Sequence, residues 1–318
     1  MKSKKYKLFI TGHNGLVGSN LLSYFNKKYN CITINRKKLD LKNKKKLNTF
    51  LKKHKIDIII HAAAKAGGIH ANSTSKIEMF VENVEIQNSL FQCGYKNKIK
   101  KIIFLGSSCI YPKFSKHPIS EDEILNGSLE QTNEGYALAK ISGVRLCKYY
   151  NEKFNTDYRA VMPCNLYGKN DKYHALDSHV IPSLIKKFVE GKNKNSKNVE
   201  IWGTGKPLRE FMHVNDLCEA IEKIIKVSKK KFRKICGNNF LVNVGTEKNI
   251  SIKKLANIIR KEVKFFGKIK FNKKYPDGVK NKLLNCNKLR KLTNWKPKIQ
   301  IKKGIKEIIL EYEKKVNV

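Results

Sequence analysis

Two pairs of side chains in this sequence could carry proton chemistry at short spacing. Ser107 and Cys109 stand two residues apart in Gly106-Ser107-Ser108-Cys109-Ile110-Tyr111-Pro112, and Tyr136 and Lys140 stand four apart in Asn133-Glu134-Gly135-Tyr136-Ala137-Leu138-Ala139-Lys140. A serine hydroxyl can hold or relay a proton, whereas a thiol can ionise and take a proton from carbon. Positions i and i+4 share a helix face, so the phenol and the ammonium would project together. The cation favours the phenolate and is expected to pull the tyrosine from its ordinary value of about 10 toward neutrality. In a lysine-rich chain the same spacing also arises as a plain surface pair.

The elements that must position these groups follow from the surrounding pattern. Ile102-Ile103-Phe104-Leu105 has the length and composition of a strand buried on both faces of a parallel sheet, so the serine and cysteine emerge at its carboxyl end, where clefts open. Residues 7–11 read as a first strand that breaks into Gly12-His13-Asn14-Gly15-Leu16-Val17-Gly18 before an amphipathic helix to about residue 28. A strand, a glycine turn and a helix amino terminus let a pyrophosphate approach the backbone and rest on the helix dipole. The G-x-x-G-x-x-G spacing is a variant of the dinucleotide fingerprint, with a tight turn before a helix as the plainer alternative. A second strand at 31–35 leads into Asn35-Arg36-Lys37-Lys38, which offers cations to a 2′-phosphate in place of a carboxylate for ribose hydroxyls. NADP is therefore expected on the strength of Arg36, with Asp40 capping a helix from about residue 42.

A third strand at 57–60 ends at His61, read as structural, and a helix over 75–95 carries Asn83 with its amide toward the sheet. The helix bearing Tyr136 runs to about 154, and a strand at 158–162 ends in Pro163-Cys164-Asn165-Leu166-Tyr167-Gly168. The alternation predicts an α/β fold, a Rossmann-type doubly wound parallel sheet. Further on come a helix opened by Ser178-His179 and reaching 190, a strand at 199–202 and the segment 203–211. A helix after Asp216 returns to the sheet domain, and then follow a strand at 240–244, a helix at 251–263, a strand at 268–271, a turn at 275–278 and a terminal helix ending near 315. Residues 1–165 with about 213–235 are expected to form the NADP-binding domain. About 166–212 and 236–318 are expected to form a smaller α/β substrate cap.

Composition narrows the classes. The formal charge of +41 invites a nucleic-acid or membrane-surface reading, yet only seven residues are arginine and the sixty lysines are spread over nearly every element. Polyanion recognition leans on arginine forks and interleaved aromatics, so a general lysine bias explains the charge better than a dedicated surface does. A non-catalytic polyanion-binding protein on the same scaffold is the alternative from a different class. No apolar run reaches the roughly 20 residues of a membrane span and the first seven residues lack a signal-peptide core, so a cytoplasmic location is expected. The eight cysteines include no C-x-x-C pair and no histidine at ligand spacing, so neither a disulfide framework nor a metal site is expected.

Glycine turn, Ser107, and Tyr136 with Lys140 together resemble the extended short-chain dehydrogenase/reductase family over nearly the whole chain. The segments GSSCIYP and SHVIP resemble its GDP-keto-sugar 3,5-epimerase/4-reductase branch, because general members have no cysteine two residues after the serine. The resemblance implies a homodimer, through the helices following Ser75 and Tyr136, that converts GDP-4-keto-6-deoxy-D-mannose to GDP-L-fucose with NADPH. It puts Cys109 and His179 in the roles of base and acid at C3 and C5, and Tyr136, Ser107 and Lys140 at the C4 reduction. It implies cofactor contacts at Gly12, His13, Asn14, Gly15, Leu16, Val17, Gly18, Arg36, Leu105, Gly106, Ser108, Lys140, Pro163, Asn165, Leu166 and His179. Substrate contacts carry over to Lys187, Trp202, Arg209 and Asp277. Of these, Lys187 could be simply solvated and Trp202 could be core packing. Three positions depart from the family's pattern: Asn14 in place of an arginine, Gly135 in place of a proline and Asn285 in place of an aspartate. A related sugar-nucleotide 4-epimerase, 4-reductase or 4,6-dehydratase is the nearest enzyme alternative, although a dehydratase would want an acid pair where Ser108-Cys109 stands.

Overall fold

The computed structural model describes residues 6–173, 178–275 and 277–316. The first half alternates strand and helix: β1 (Lys7–Thr11), α1 (Leu16–Phe25), β2 (Asn30–Ile32), α2 (Lys44–His54), β3 (Ile58–His61), α3 (Ile69–Thr74), α4 (Lys76–Lys96), β4 (Lys101–Leu105), α5 (Glu134–Phe154) and β5 (Tyr158–Pro163). The second half runs β6 (Asn165–Tyr167), α6 (Val180–Asn193), β7 (Asn198–Trp202), β8 (Leu208–His213), α7 (Val214–Lys226), α8 (Lys229–Cys236), β9 (Leu241–Val244), β10 (Asn249–Ser251), α9 (Ile252–Val263), β11 (Lys268–Asn272), β12 (Asn281–Lys282), α10 (Asn287–Thr293) and α11 (Ile301–Val316).

Six strands form one parallel sheet in the order β2-β1-β3-β4-β5-β9. Every residue of β3 and β5 is buried, as strands covered by helices on both faces require. The chain leaves β1 toward β2 and returns to β3 on the other side of β1, so the crevice of a doubly wound sheet opens at these carboxyl ends. Gly12 follows β1 there, and Gly106 to Cys109 follow β4.

Several elements differ from expectation for identifiable reasons. β2 is three residues long and stops before Asn35, because only Lys7, Leu8 and Phe9 offer it partners. The cap of α2 is Asn43, whose Oδ1 accepts from the Lys46 N–H at 3.0 Å, while Asp40 accepts from Lys42 N–H in a turn just upstream. Asn83 does not address the sheet. Its amide bonds the loop after β3, accepting from Lys65 N–H and donating to the Lys65 carbonyl at 2.8 and 2.9 Å. The expected cap boundary near residue 236 leaves β9 with the cap, whereas β9 pairs with β5 as the sixth strand of the main sheet, and Leu289 and Leu292 of α10 join the same apolar core. The segment 203–211, to which the sequence pattern assigns no element, contains the start of β8 at Leu208.

A second core packs Ile185 and Phe188 of α6, Leu255 and Ile259 of α9 and Ile305 and Ile308 of α11 together. Each such side chain contributes about 1.5–3 kcal/mol by leaving water. β8 joins the two cores by the alternation of a strand: Phe211 points into the second and Met212 into the first. The strand also carries Glu210, which is 1 % exposed and accepts the backbone N–H groups of Thr246, Glu247 and Leu284 at 2.5, 2.7 and 2.9 Å. Burial pushes its carboxyl up to about 7 against the pull of these donors.

Candidate active site

The glycine turn closes with Gly15 N–H on the Gly12 carbonyl at 3.0 Å and places Leu16, Val17 and Gly18 in the first turn of α1. No side chain caps this helix, which leaves its first amides for a ligand. Gly12 has φ +72, and a Cβ at Gly18 would stand 2.1 Å from the Gly12 carbonyl oxygen. Only glycine permits that close approach, so the turn has the shape a dinucleotide pyrophosphate needs. His13 Nε2 lies 3.0 Å from Asn35 Oδ1, and Asn14 Nδ2 donates to the same oxygen at 3.2 Å. Asn14 thus ties the turn to the loop that carries Arg36. The exposed Arg36 guanidinium stands 3.9 Å from Asp40 and 3.5 Å from Glu82. His61 is structural: its Nδ1 pairs with Thr11 Oγ1 at 2.9 Å, and burial pushes the ring down to about 3, so it stays neutral.

Ser107 to Cys109 leave β4 in a tight 3-10 turn over Ser108–Ile110. Ser107 Oγ accepts from Cys109 N–H at 3.3 Å, which leaves the hydroxyl proton available for another acceptor. Cys109 is 7 % exposed, and burial pushes its thiol up, opposed by Lys282, Ser107 and Lys140. Gly106 donates to the Val161 carbonyl at 2.9 Å, and Lys140 Nζ donates to the Leu105 carbonyl at 2.8 Å. The latter bond fixes the ammonium beneath the end of β4, 5.6 Å from the Tyr136 ring.

The tyrosine differs from expectation. Burial, with Cys109 second, pushes its phenol above the ordinary value, and the cation does not overcome this. Lys140 itself is lowered to about 8 by burial. Tyr136 therefore keeps its proton at neutral pH and is arranged as an acid. Gly135, where the family's pattern has proline, is accounted for by packing: a Cβ there would lie 2.7 Å from the Lys76 carbonyl oxygen at the start of α4. Asn285 also has a local role, its Oδ1 accepting from Asn287 N–H at 2.9 Å where α10 begins.

His179 is the N-cap residue of α6 and is exposed, with Nδ1 3.6 Å from Oδ1 of the buried Asp171. Pro163 ends β5, and Asn165 and Leu166 lie in β6, where Asn165 Nδ2 donates to the Glu210 carbonyl at 2.8 Å. The expected substrate residues gather around β7 and β8. Lys187 donates to the Glu200 carbonyl at 3.0 Å and stands 5.3 Å from the Trp202 ring centroid, so its head is engaged. Trp202 is 39 % exposed and stacks on Tyr275 at 4.1 Å, an open platform outside both cores. Asp277 accepts from Thr204 N–H at 2.8 Å, and Arg209 donates to the Leu208 and Val279 carbonyls. The turn expected at 275–278 includes Pro276, which lies outside the described residues.

One site residue has no signal in the sequence. Lys282, on the two-residue β12, pairs in register with Arg209 of β8, which puts two cations side by side on one face. A lysine in a lysine-rich chain, on so short a strand, is invisible to pattern reading.

The pattern of the NAD dependent epimerase/dehydratase family matches residues 8–240. The chain is 38 % identical over 304 residues to the GDP-L-fucose synthase of Escherichia coli (strain K12), covering 95 % of this chain and 94 % of that protein. It is 41 % identical to the GDP-L-colitose synthase of Yersinia pseudotuberculosis, over 94 % of this chain and 95 % of that protein. Among solved structures, a GDP-mannoheptose C4 reductase from Campylobacter jejuni with NADP bound superposes with a TM-score of 0.87 at 30 % identity, over 98 % of this chain and all of that one. A glycine turn whose Gly12 and Gly18 have no room for a Cβ, and a tyrosine paired with a buried lysine at the carboxyl end of β4, fit what these likenesses state, that the chain belongs to the NAD dependent epimerase/dehydratase family.

Proposed function

We propose that the protein is an NADPH-dependent epimerase/reductase that converts GDP-4-keto-6-deoxy-D-mannose to GDP-L-fucose, inverting C3 and C5 before reducing C4. The observation that carries this reading is Cys109 in one cluster with Tyr136 and Lys140, since a plain 4-reductase has no use for a thiol there. Inversion beside a ketone needs a base on one face of the carbon and an acid on the other. Cys109 serves as the first and His179, held on its Nδ1 side by Asp171, as the second. Ser107 donates a hydrogen bond to the C4 oxygen and keeps its proton, and Tyr136 gives that oxygen its one proton as charge builds on it. A bound nicotinamide supplies hydride to C4, while Lys140 holds the ribose beside it. The turn over Gly12, Gly15 and Gly18 takes the pyrophosphate, and Arg36 can exchange its two long ion pairs for a 2′-phosphate, which supports NADP over NAD. The fork of Arg209 suits the substrate diphosphate, and the Trp202 face suits a flat base.

Incubating the purified protein with GDP-4-keto-6-deoxy-mannose is expected to consume NADPH faster than NADH, followed at the nicotinamide absorbance, and to yield a product inverted at C3 and C5 by NMR. Reduction without inversion would leave only a 4-reductase, and no turnover would sink the reading.

The same reading includes a homodimer. Ile77, Phe80 and Val81 of α4 and Leu138 and Tyr149 of α5 are exposed apolar side chains, from 40 to 75 % accessible, on two helices that pack together. Light scattering is expected to give twice the chain mass, falling to one when Ile77 and Phe80 are both changed to Asp.

A further inference from the structure

We propose that Lys282 is a positioning residue for Cys109: its ammonium, in the wall of the cavity that the thiol lines, stabilises the thiolate and so lets a buried cysteine act as a base. The inference rests on Cys109 being the base in the reading above. In that step the C–H bond breaks, its proton passes to the sulfur, and the electron pair moves onto the ketone oxygen. The sulfur must therefore start as an anion. With 7 % of its surface exposed, Cys109 has little water to solvate that charge, so a cation must do so.

Cys109, His117, Glu130 and Lys282 line one cavity, closed by Asn281 of β12 and by Val279 just before that strand. The groups facing the sulfur come from three elements, and most are committed elsewhere. From the loop after β4, the Tyr111 hydroxyl bonds Asn243 Oδ1 at 2.5 Å, Lys113 and Glu130 pair with each other at 3.3 Å, and burial lowers the His117 imidazole so that it is neutral near pH 7. From α5, Tyr136 keeps its proton, and Lys140 spends a hydrogen bond on the Leu105 carbonyl while facing the rings of Phe104 and Tyr136 at 5.0 and 5.6 Å. From β12 comes Lys282, for which no hydrogen bond is found among the described residues and whose electrostatic neighbours are Cys109, Arg209 and Glu130. Arg209 is not among the groups acting on the thiol, and its Nη1 is spent on the Leu208 and Val279 carbonyls. The strand pairing that sets Lys282 beside Arg209 also adds cation repulsion, which an anion at Cys109 relieves.

The test is the rate of iodoacetamide alkylation of Cys109 in the full chain, read by mass spectrometry of its peptide from pH 5 to 10. Lys282→Met is expected to move the midpoint of that profile upward by about one pH unit and to slow alkylation at pH 7 about tenfold. The plateau at high pH should be unchanged and Lys282→Arg should restore the midpoint. If Lys282→Met does not fold by circular dichroism, Lys282→Gln, which keeps the stem and a polar head, is measured in its place with the same expected shift. An unchanged midpoint overturns the proposal, and so does a change confined to the plateau, which would mark altered access instead of altered charge. Should the midpoint move as expected while Cys109→Ser retains deuterium exchange into the sugar, the base assignment falls and the coupling of lysine to thiol stands.

Discussion

Tyr136→Phe is expected to slow reduction of the ketone by roughly 10²–10⁴-fold while proton exchange at C3 and C5 continues. In the function proposed above the phenol is the acid that meets the charge forming on the C4 oxygen, and phenylalanine keeps the ring while removing that proton. Burial holds the phenol above its ordinary value, so the wild-type tyrosine remains protonated across the neutral range and its own titration should not limit the rate there. Stopped-flow oxidation of NADPH, with NMR of the sugar in heavy water beside it, separates the two outcomes. If the variant loses reduction and exchange together, the tyrosine is organising the whole pocket, and the assignment as C4 acid fails.

The second large effect is the converse. Cys109→Ser is expected to lower deuterium incorporation at C3 and C5 by roughly 10²–10⁴-fold and to leave reduction of a pre-epimerised ketone near its wild-type rate. A serine hydroxyl of nearly the same size does not ionise near neutrality, so the substitution removes the proposed base without opening a large cavity. Undiminished incorporation would show that another group removes the proton.

Much of this site was legible before any coordinates because its parts are local. The bounds of β1, the glycine turn behind it and the four-residue step from Tyr136 to Lys140 all lie within short windows, where periodicity and turn chemistry speak directly. What escaped was set by distant partners. Arg209-Glu210 carries no strand signal, yet it lies in β8, because Arg209 finds Lys282 across the strand pair and Glu210 finds amides 36 to 74 residues away. β9 looked like cap because chain order cannot say that it docks on β5. The tyrosine's acidity went the wrong way for the same reason: the sequence displays the neighbouring lysine but not the burial that outweighs it. Asn43 instead of Asp40 as the cap of α2 is a smaller difference, three residues in the cap and two in where the helix starts.

The buried carboxylate of Glu210 bears on how the molecule can be taken apart. Its oxygens hold amides from the segment just beyond β9 of the main sheet and from the one just beyond β12, so this one acid fastens β8 to both. Excising β8 or those two segments would leave three donors without an acceptor or an acid without donors, in a place water does not reach. The two cores are thus courses of one piece of masonry.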